Sequence, residues 1–251
     1  MGVYNLLSLI KIPGALGFSL IIMTVIIRLI LSPLTSAQIK SAQKLSKLKP
    51  EIDKLNEKYK NDKVKLQQEQ MSLYKKAGIN PAAGCLPLLV QMPILLALYN
   101  MFLPLLTNGN SEKVIVAINH AVYFPFLKIH SLDLSFFGLN LAHKPSEWQK
   151  LGWFLLLIPV ITGALQYWQT RLMIPKTTPK LDIEKKREPK EDDMGTAMQK
   201  QMSIMMPLMI GFFAYNFPLG LSLYWNTMTV FGIIQQYQLN KDMEEKNENK
   251  R

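Results

Sequence analysis

The chain has 251 residues, 49% of them hydrophobic, and a formal net charge of +11. A soluble domain spreads apolar residues at helix or strand period, whereas here they collect in blocks near the ~20 residues that cross a bilayer. Apart from Arg28, the Lys and Arg residues lie outside those blocks or at their edges, a pattern of basic membrane-flanking loops that excludes a nucleic-acid-binding face, so no specific nucleic-acid sequence is an expected partner.

The first twelve residues contain Leu6, Leu7, Leu9 and Ile10 but no basic leader or small-residue cleavage site, and read as an interfacial lead-in. The first apolar block runs from Ile12 to Leu34, with Ser32-Pro33 expected to end its helix. A lysine-rich region follows, and a second block occupies about Gly84 to Leu106. Residues 107–150 hold all three histidines and no spanning run. The third block is Leu151 to Met173, followed by a charged linker to Lys200 with Pro175, Pro179 and Pro189, the signature of a flexible segment. The fourth, Met202 to Phe217, is sixteen residues, about 24 Å of helix against a hydrocarbon core of about 30 Å, short enough to thin a bilayer. The fifth, Leu219 to Tyr237, follows Pro218, and the charged tail 239–251 is expected to be disordered. These blocks predict an all-α membrane protein with five transmembrane helices. The divisions are a lead-in and first helix (1–34), a cytoplasmic antiparallel helical hairpin (35–83), the remaining helices (84–238) and the tail.

The hairpin is read from spacing. Leu45, Leu48, Ile52, Leu55 and Tyr59 recur at 3-4-3-4, a coiled-coil seam. Beyond Asn61-Asp62, Val64, Leu66, Met71, Leu73 and Tyr74 form a second apolar set able to meet the first. Pro50 is expected to kink the first arm, and Gly78, Asn80 and Pro81 to close the hairpin. Such a hairpin is either a solvated spacer or a docking arm.

Arg28 sits in IIMTVIIRLILSPL. An arginine deep in a spanning helix costs about 2.5–3.5 kcal/mol on translocon scales. Leu29, Ile30 and Leu31 leave it about one turn from the helix end, so snorkelling is one reading. A water-filled cavity is the favoured one, because intramembrane ionisable residues usually face such cavities. No Asp or Glu lies in any apolar block, so no fixed anion is expected opposite Arg28. That absence also disfavours a proton-coupled transporter. Thr24 precedes Arg28 by one turn and shares its face. Gln91, Asn100, Gln166, Gln169, Tyr224, Trp225, Asn226 and Thr227 supply polar groups from other blocks, either as interhelical glue or as the lining of a groove. Met194, Met198, Met202, Met205 and Met209 follow helical spacing, as packing filler or as a slide for apolar substrates.

Enzyme classes find no support. The one cysteine, Cys85, allows neither an internal disulfide nor a cysteine metal cluster. No histidine lies in a block, and HExxH, GxSxG and phosphate-loop motifs are absent. No catalytic residue, metal or cofactor is expected.

Three segments carry a family likeness: IIRLILSPLT around Arg28, NPAAGCLPLLVQMPILLALYN from Asn80, and NFPLGLSLYW ending at Trp225. Their order and spacing resemble the YidC/Oxa/Alb membrane protein insertases over about Gly17 to Gln238, in the five-span form of Gram-positive bacteria. The resemblance implies a hydrophilic groove open to the cytoplasm and to lipid but sealed outside, with Arg28 at its centre. Gln169 and Trp225 match groove-lining positions, and Thr24, Gln91 and Tyr224 complete the expected substrate-contacting set. It further implies a bacterial plasma-membrane location and membrane lipids around the spans. The implied partners are nascent membrane proteins, ribosome–nascent-chain complexes, the signal-recognition pathway and the Sec translocon. Gram-positive members commonly carry a lipoprotein-type signal, and no such cysteine lies near Met1.

The expected function is therefore an insertase. A channel or anion transporter using Arg28 as an ion site is the alternative, disfavoured by the nearly apolar Gly14–Met23. A structural assembly factor is a third. Loops on one side hold twenty-two Lys and Arg against five on the other, which puts the N-terminus outside and the C-terminus in the cytoplasm. Cysteines placed at Ser111 and Asn61, in a Cys85→Ser background, are expected to label from opposite sides of intact cells. Labelling of both from outside overturns this topology.

Overall fold

The computed structural model describes residues 1–78, 86–108, 111–173 and 194–248. The Asn80–Cys85 part of the second motif, most of the charged linker, the last three residues and the side chains of Met194, Met198 and Met202 lie outside the described set. Helices dominate: α1 (Gly2–Leu9), α2 (Ala15–Lys47), α3 (Lys49–Lys58), α4 (Lys63–Lys76), α5 (Leu86–Asn108), α6 (Ser111–Ala121), α7 (Trp148–Leu151), α8 (Leu157–Met173), α9 (Met194–Asn216) and α10 (Leu219–Glu248). Within the described residues one helix, over Ala15–Leu45, is long and apolar enough to cross a membrane by itself.

One short β-hairpin interrupts the helices. Ser135–Phe136 (β1) and Leu139–Asn140 (β2) pair antiparallel. Phe137 and Gly138 between them both have positive φ, 49° and 79°, the pattern of a type I′ turn whose twist suits two short strands. The turn docks on α2. The Phe136 ring packs edge-on to Phe18 at 5.2 Å and lies where a Cβ of Gly17 would be.

The apolar core gathers at one end of the bundle. Tyr4, Leu16 and Leu20 meet Phe102 of α5, Val114 of α6, Ile129 and Leu141 of the long connection, and Leu219 at the start of α10. Polar closures hold this cap. The Tyr4 hydroxyl donates to the Ser131 carbonyl at 3.0 Å and accepts from the Asp133 amide at 3.1 Å. Asn119 makes a two-way amide pair with the Ile129 backbone at 2.8 Å each way. The first amides of α10, which have no partner within the helix, donate from Leu219 to the His143 carbonyl and from Gly220 to that of Leu141, both at 2.8 Å. Phe102 seats its ring in the space a side chain at Gly220 would take.

At the opposite end the helices outrun their apolar blocks. Pro33 does not stop α2, which continues fourteen residues to Lys47. Proline removes a backbone donor and crowds the preceding turn, but Gln235 of α10 binds both sides of the irregularity. Its Nε2 lies 3.0–3.1 Å from Ser32 Oγ, Thr35 Oγ1 and Ser36 Oγ, and its Oε1 accepts from Thr35 Oγ1 at 3.2 Å. Farther along, Asn240 Oδ1 accepts from Gln43 at 2.7 Å and from Gln236 at 2.9 Å, and its Nδ2 donates to the Leu172 carbonyl of α8 at 3.4 Å. α10 itself runs on to Glu248, so residues 239–248 are helical and not a disordered tail. α9 likewise begins at Met194 and has 23 residues, but its apolar stretch is only Ser203–Asn216, about 21 Å of helix, and so stays short against the hydrocarbon core.

α3 and α4 fold back on each other, bridged by Gln70 Nε2 donating to Asn56 Oδ1 at 2.9 Å. Pro50 does not kink an arm. It stands in the first turn of α3, where its missing N–H costs nothing. Asp62 caps α4 by accepting from the Lys65 amide at 3.0 Å, and Gly78 follows it with φ 64°, a left-handed exit that suits glycine. Of the second apolar set, Leu66, Leu73 and Tyr74 are half-buried while Val64 and Met71 face outward. Burial raises the Tyr74 phenol above its ordinary pKa.

The Gln235 network makes a prediction. Gln235→Leu preserves the side chain's bulk and removes its polar contacts, so it is expected to lower unfolding free energy by about 1–2 kcal/mol. Amide exchange should quicken over residues 29–47 and not over 15–24. Uniform exchange along α2 would show that the network does not hold the helix past Pro33.

Candidate functional site: an arginine within a polar seam

Arg28 and Thr24 lie on α2, Gln91 on α5, Gln169 on α8, and Tyr224 and Trp225 on α10. The guanidinium is half-buried. Its Nη2 donates to the Met228 carbonyl at 3.2 Å, and its Nε has no partner among the described residues. Nor does any described carboxylate pair with it. A helical carbonyl is a weaker partner than a carboxylate and leaves the cation's charge uncompensated.

Gly232, one turn beyond Met228, is what lets the helices close. A Cβ there would meet the Gln169 amide and stand 3.7 Å from Arg28 Nη2. Arg28 and Gln169 therefore converge over one glycine from different helices. Gln91 Nε2 donates to the Tyr224 hydroxyl at 2.9 Å, joining α5 to α10. Thr24 is buried and bonds to its own helix, at the Leu20 carbonyl. Thr24 and Tyr224 together line a mainly apolar cavity of about 210 Å³ on the capped side of Arg28, with Leu16, Leu98 and Met101.

Trp225 turns to α8, where its indole N–H donates to Gln166 Oε1 at 3.2 Å. Thr227 bonds back to the Leu223 carbonyl. Asn100 is exposed on α5, apart from the seam. Met205 and Met209 are exposed on α9.

A second polar face of α10 was only partly legible. Ser222, Asn226 and Thr229 recur at i, i+4 and i+7 and so share one face. Ser222 Oγ, Asn226 Oδ1 and Thr229 Oγ1 are buried without a hydrogen-bond partner among the described residues. Asn226 stood out in the sequence, whereas Ser222 and Thr229 did not. Their spacing within NFPLGLSLYWNTMT is the signal that could have found them. Among the described residues no group of His, Cys, Asp and Glu is placed to hold a metal. Among the described residues the seam brings no nucleophile–base pair together. Its chemistry is that of an anion-attracting, hydrogen-bonding interior.

This is the core of a predominantly helical membrane protein. The chain belongs to the 60Kd inner membrane protein family, whose sequence profile matches residues 8–247. It is 33% identical to the membrane protein insertase YidC of Fusobacterium nucleatum over 231 residues, 92% of this chain and 89% of that protein. It is 34% identical to the membrane protein insertase YidC of Oceanobacillus iheyensis over 235 residues, 90% of this chain and 75% of that protein. With the protein of the same name from Rickettsia typhi it shares 33% identity over 233 residues, 91% of this chain but 36% of that longer protein.

The geometry around Arg28 predicts unequal access to water. In a Cys85→Ser background, a cysteine at Arg28 is expected to react severalfold faster with a charged thiol reagent than one at Ile26, whose side chain points out of the bundle. Equal rates would place Arg28 in lipid.

Proposed function

We propose that this chain is a membrane protein insertase of the bacterial plasma membrane. It moves short polar tails and hydrophobic segments of nascent membrane proteins from the cytoplasm into the bilayer, without covalent chemistry. Five membrane-crossing helices (α2, α5, α8, α9 and α10) with the α3–α4 hairpin in the cytoplasm make up the acting unit. Arg28, Thr24, Gln91, Gln169, Tyr224 and Trp225 line the hydrophilic groove that receives the tail. Ribosome–nascent-chain complexes, the signal-recognition pathway and the Sec translocon are the partners this reading assigns.

The observation that carries the proposal is Arg28 itself: a permanent cation, held by one carbonyl, with Nε unpartnered and no described acid to neutralise it. A buried polar group without a partner costs free energy, and an incoming acidic or hydrated tail relieves that cost. The unpartnered oxygens of Ser222, Asn226 and Thr229 add hydrogen-bonding capacity in the same bundle. The capped end favours insertion over conduction. Ser19 spends its hydroxyl on its own helix, and Phe102, Val114 and Ile129 are buried there.

In a wet groove bounded by lipid, an opposite-charge contact at about 4 Å stabilises the entering tail by up to about 4 kcal/mol before desolvation is subtracted. That is comparable to the insertion penalty of one acidic residue, about 2.5–3.5 kcal/mol. The interaction is therefore large enough to decide whether a tail crosses.

The test is a matrix of Arg28 variants against tails with and without Asp or Glu, reconstituted in liposomes and scored by protease protection. Arg28→Lys should retain much of the insertion, Arg28→Ala should lose it most for acidic tails, and neutral tails should depend on Arg28 least. Equal insertion of acidic tails by Arg28→Ala and the parent would sink the electrostatic account and leave Arg28 a snorkelling anchor.

A further inference from the structure

On the outer surface of the bundle α8 and α9 cross at a pair of glycines. A Cβ on Gly163 would stand 3.5 Å from the Pro207 carbonyl oxygen, and one on Gly211 would stand 3.3 Å from that of Pro159. Missing side chains at this crossing leave a trough of about 470 Å³, walled by Val160 and Tyr167 of α8 and by Ile204 and Leu208 of α9. The volume is that of a small-ligand site. Its walls are apolar and open outward: Val160 is 66% exposed and Leu208 65%.

The trough has a charged mouth. Val160, Ala164, Tyr167 and Arg171 follow one another at four, three and four residues and so share a face of α8. Arg171 is exposed, with its guanidinium carbon 5.8 Å from the centroid of the Tyr167 ring, a cation–π contact that holds the cation beside the groove. From Pro159 to Arg171 the helix rises about 18 Å. One leaflet of hydrocarbon is about 15 Å deep, half of a ~30 Å core. Arg171 thus stands at head-group level when the trough lies along acyl chains.

We propose that this trough is a binding site for an anionic phospholipid, with one acyl chain between α8 and α9 and the phosphate on Arg171. The proposal rests on reading α8 and α9 as membrane helices. Charge and length select this occupant. An apolar polypeptide segment would satisfy the walls but leave the cation at the mouth unanswered, whereas a lipid phosphate answers both.

The site is tested with a benzophenone amino acid at Leu208, in the full chain, in nanodiscs of equal phosphatidylglycerol and phosphatidylcholine. The same probe at Phe212, on α9 and outside the trough lining, reports the surrounding lipid. A basic side chain at the membrane surface favours an anionic head group by about fivefold. Adducts at Leu208 should therefore exceed those at Phe212 in phosphatidylglycerol content by about that factor. Arg171→Gln should remove the excess, and Ala164→Phe, which fills the trough from an exposed position, should cut all lipid adducts at Leu208. Equal ratios at the two positions, an excess that survives Arg171→Gln, or polypeptide adducts in place of lipid each overturn the proposal. Assaying insertion with the parent chain in the same nanodiscs separates the two readings. Insertion without head-group preference sinks the lipid site alone, and preference without insertion sinks the insertase alone.

Discussion

An arginine cannot shed its charge in a protein, and Arg28 carries one on a helix whose flanking residues are apolar. What surrounds it follows from that constraint. The guanidinium needs dipoles, and the nearest is the Met228 carbonyl on α10. A carbonyl already in a helix is reached by a side chain from another helix only if the two backbones come close, which Gly232 permits. The Gln169 amide fills the remaining space from α8. One charge therefore organises the meeting of α2, α8 and α10, yet leaves Nε unanswered. The site is positioned without being saturated.

The two ends of the bundle divide the work. At the cap, aromatic and aliphatic side chains from α1, α2, α5 and α6 are buried together, and the chain's own carbonyls satisfy the first amides of α10. At the other end the contacts between helices are amides and hydroxyls, centred on Gln235 and Asn240. Such contacts average well under 2 kcal/mol each in membranes, and can be exchanged for water more readily than a packed core can be opened.

The sequence by itself determined where charge could and could not go. The apolar blocks, the isolation of Arg28, the lack of an acid in any block and the hairpin's repeating leucines are local sums or spacings, so they were legible without a fold. Gln91 and Tyr224 were legible as polar groups in apolar surroundings, though not as partners. Helix ends were decided by tertiary structure. Pro33 reads locally as a stop, and the tail from Leu239 reads locally as disorder. Both are overridden by side chains about 200 positions away in sequence, with Gln235 holding Ser32 and Thr35, and Asn240 holding Gln43. Trp225 was legible in the same way, though its partner, Gln166 on α8, was not. The β-turn over Phe137-Gly138 needed the flat face of Gly17 to dock on. A polar group in a bundle must find whichever partner the packing brings near, and that proximity is written in the fold, not in the neighbouring residues.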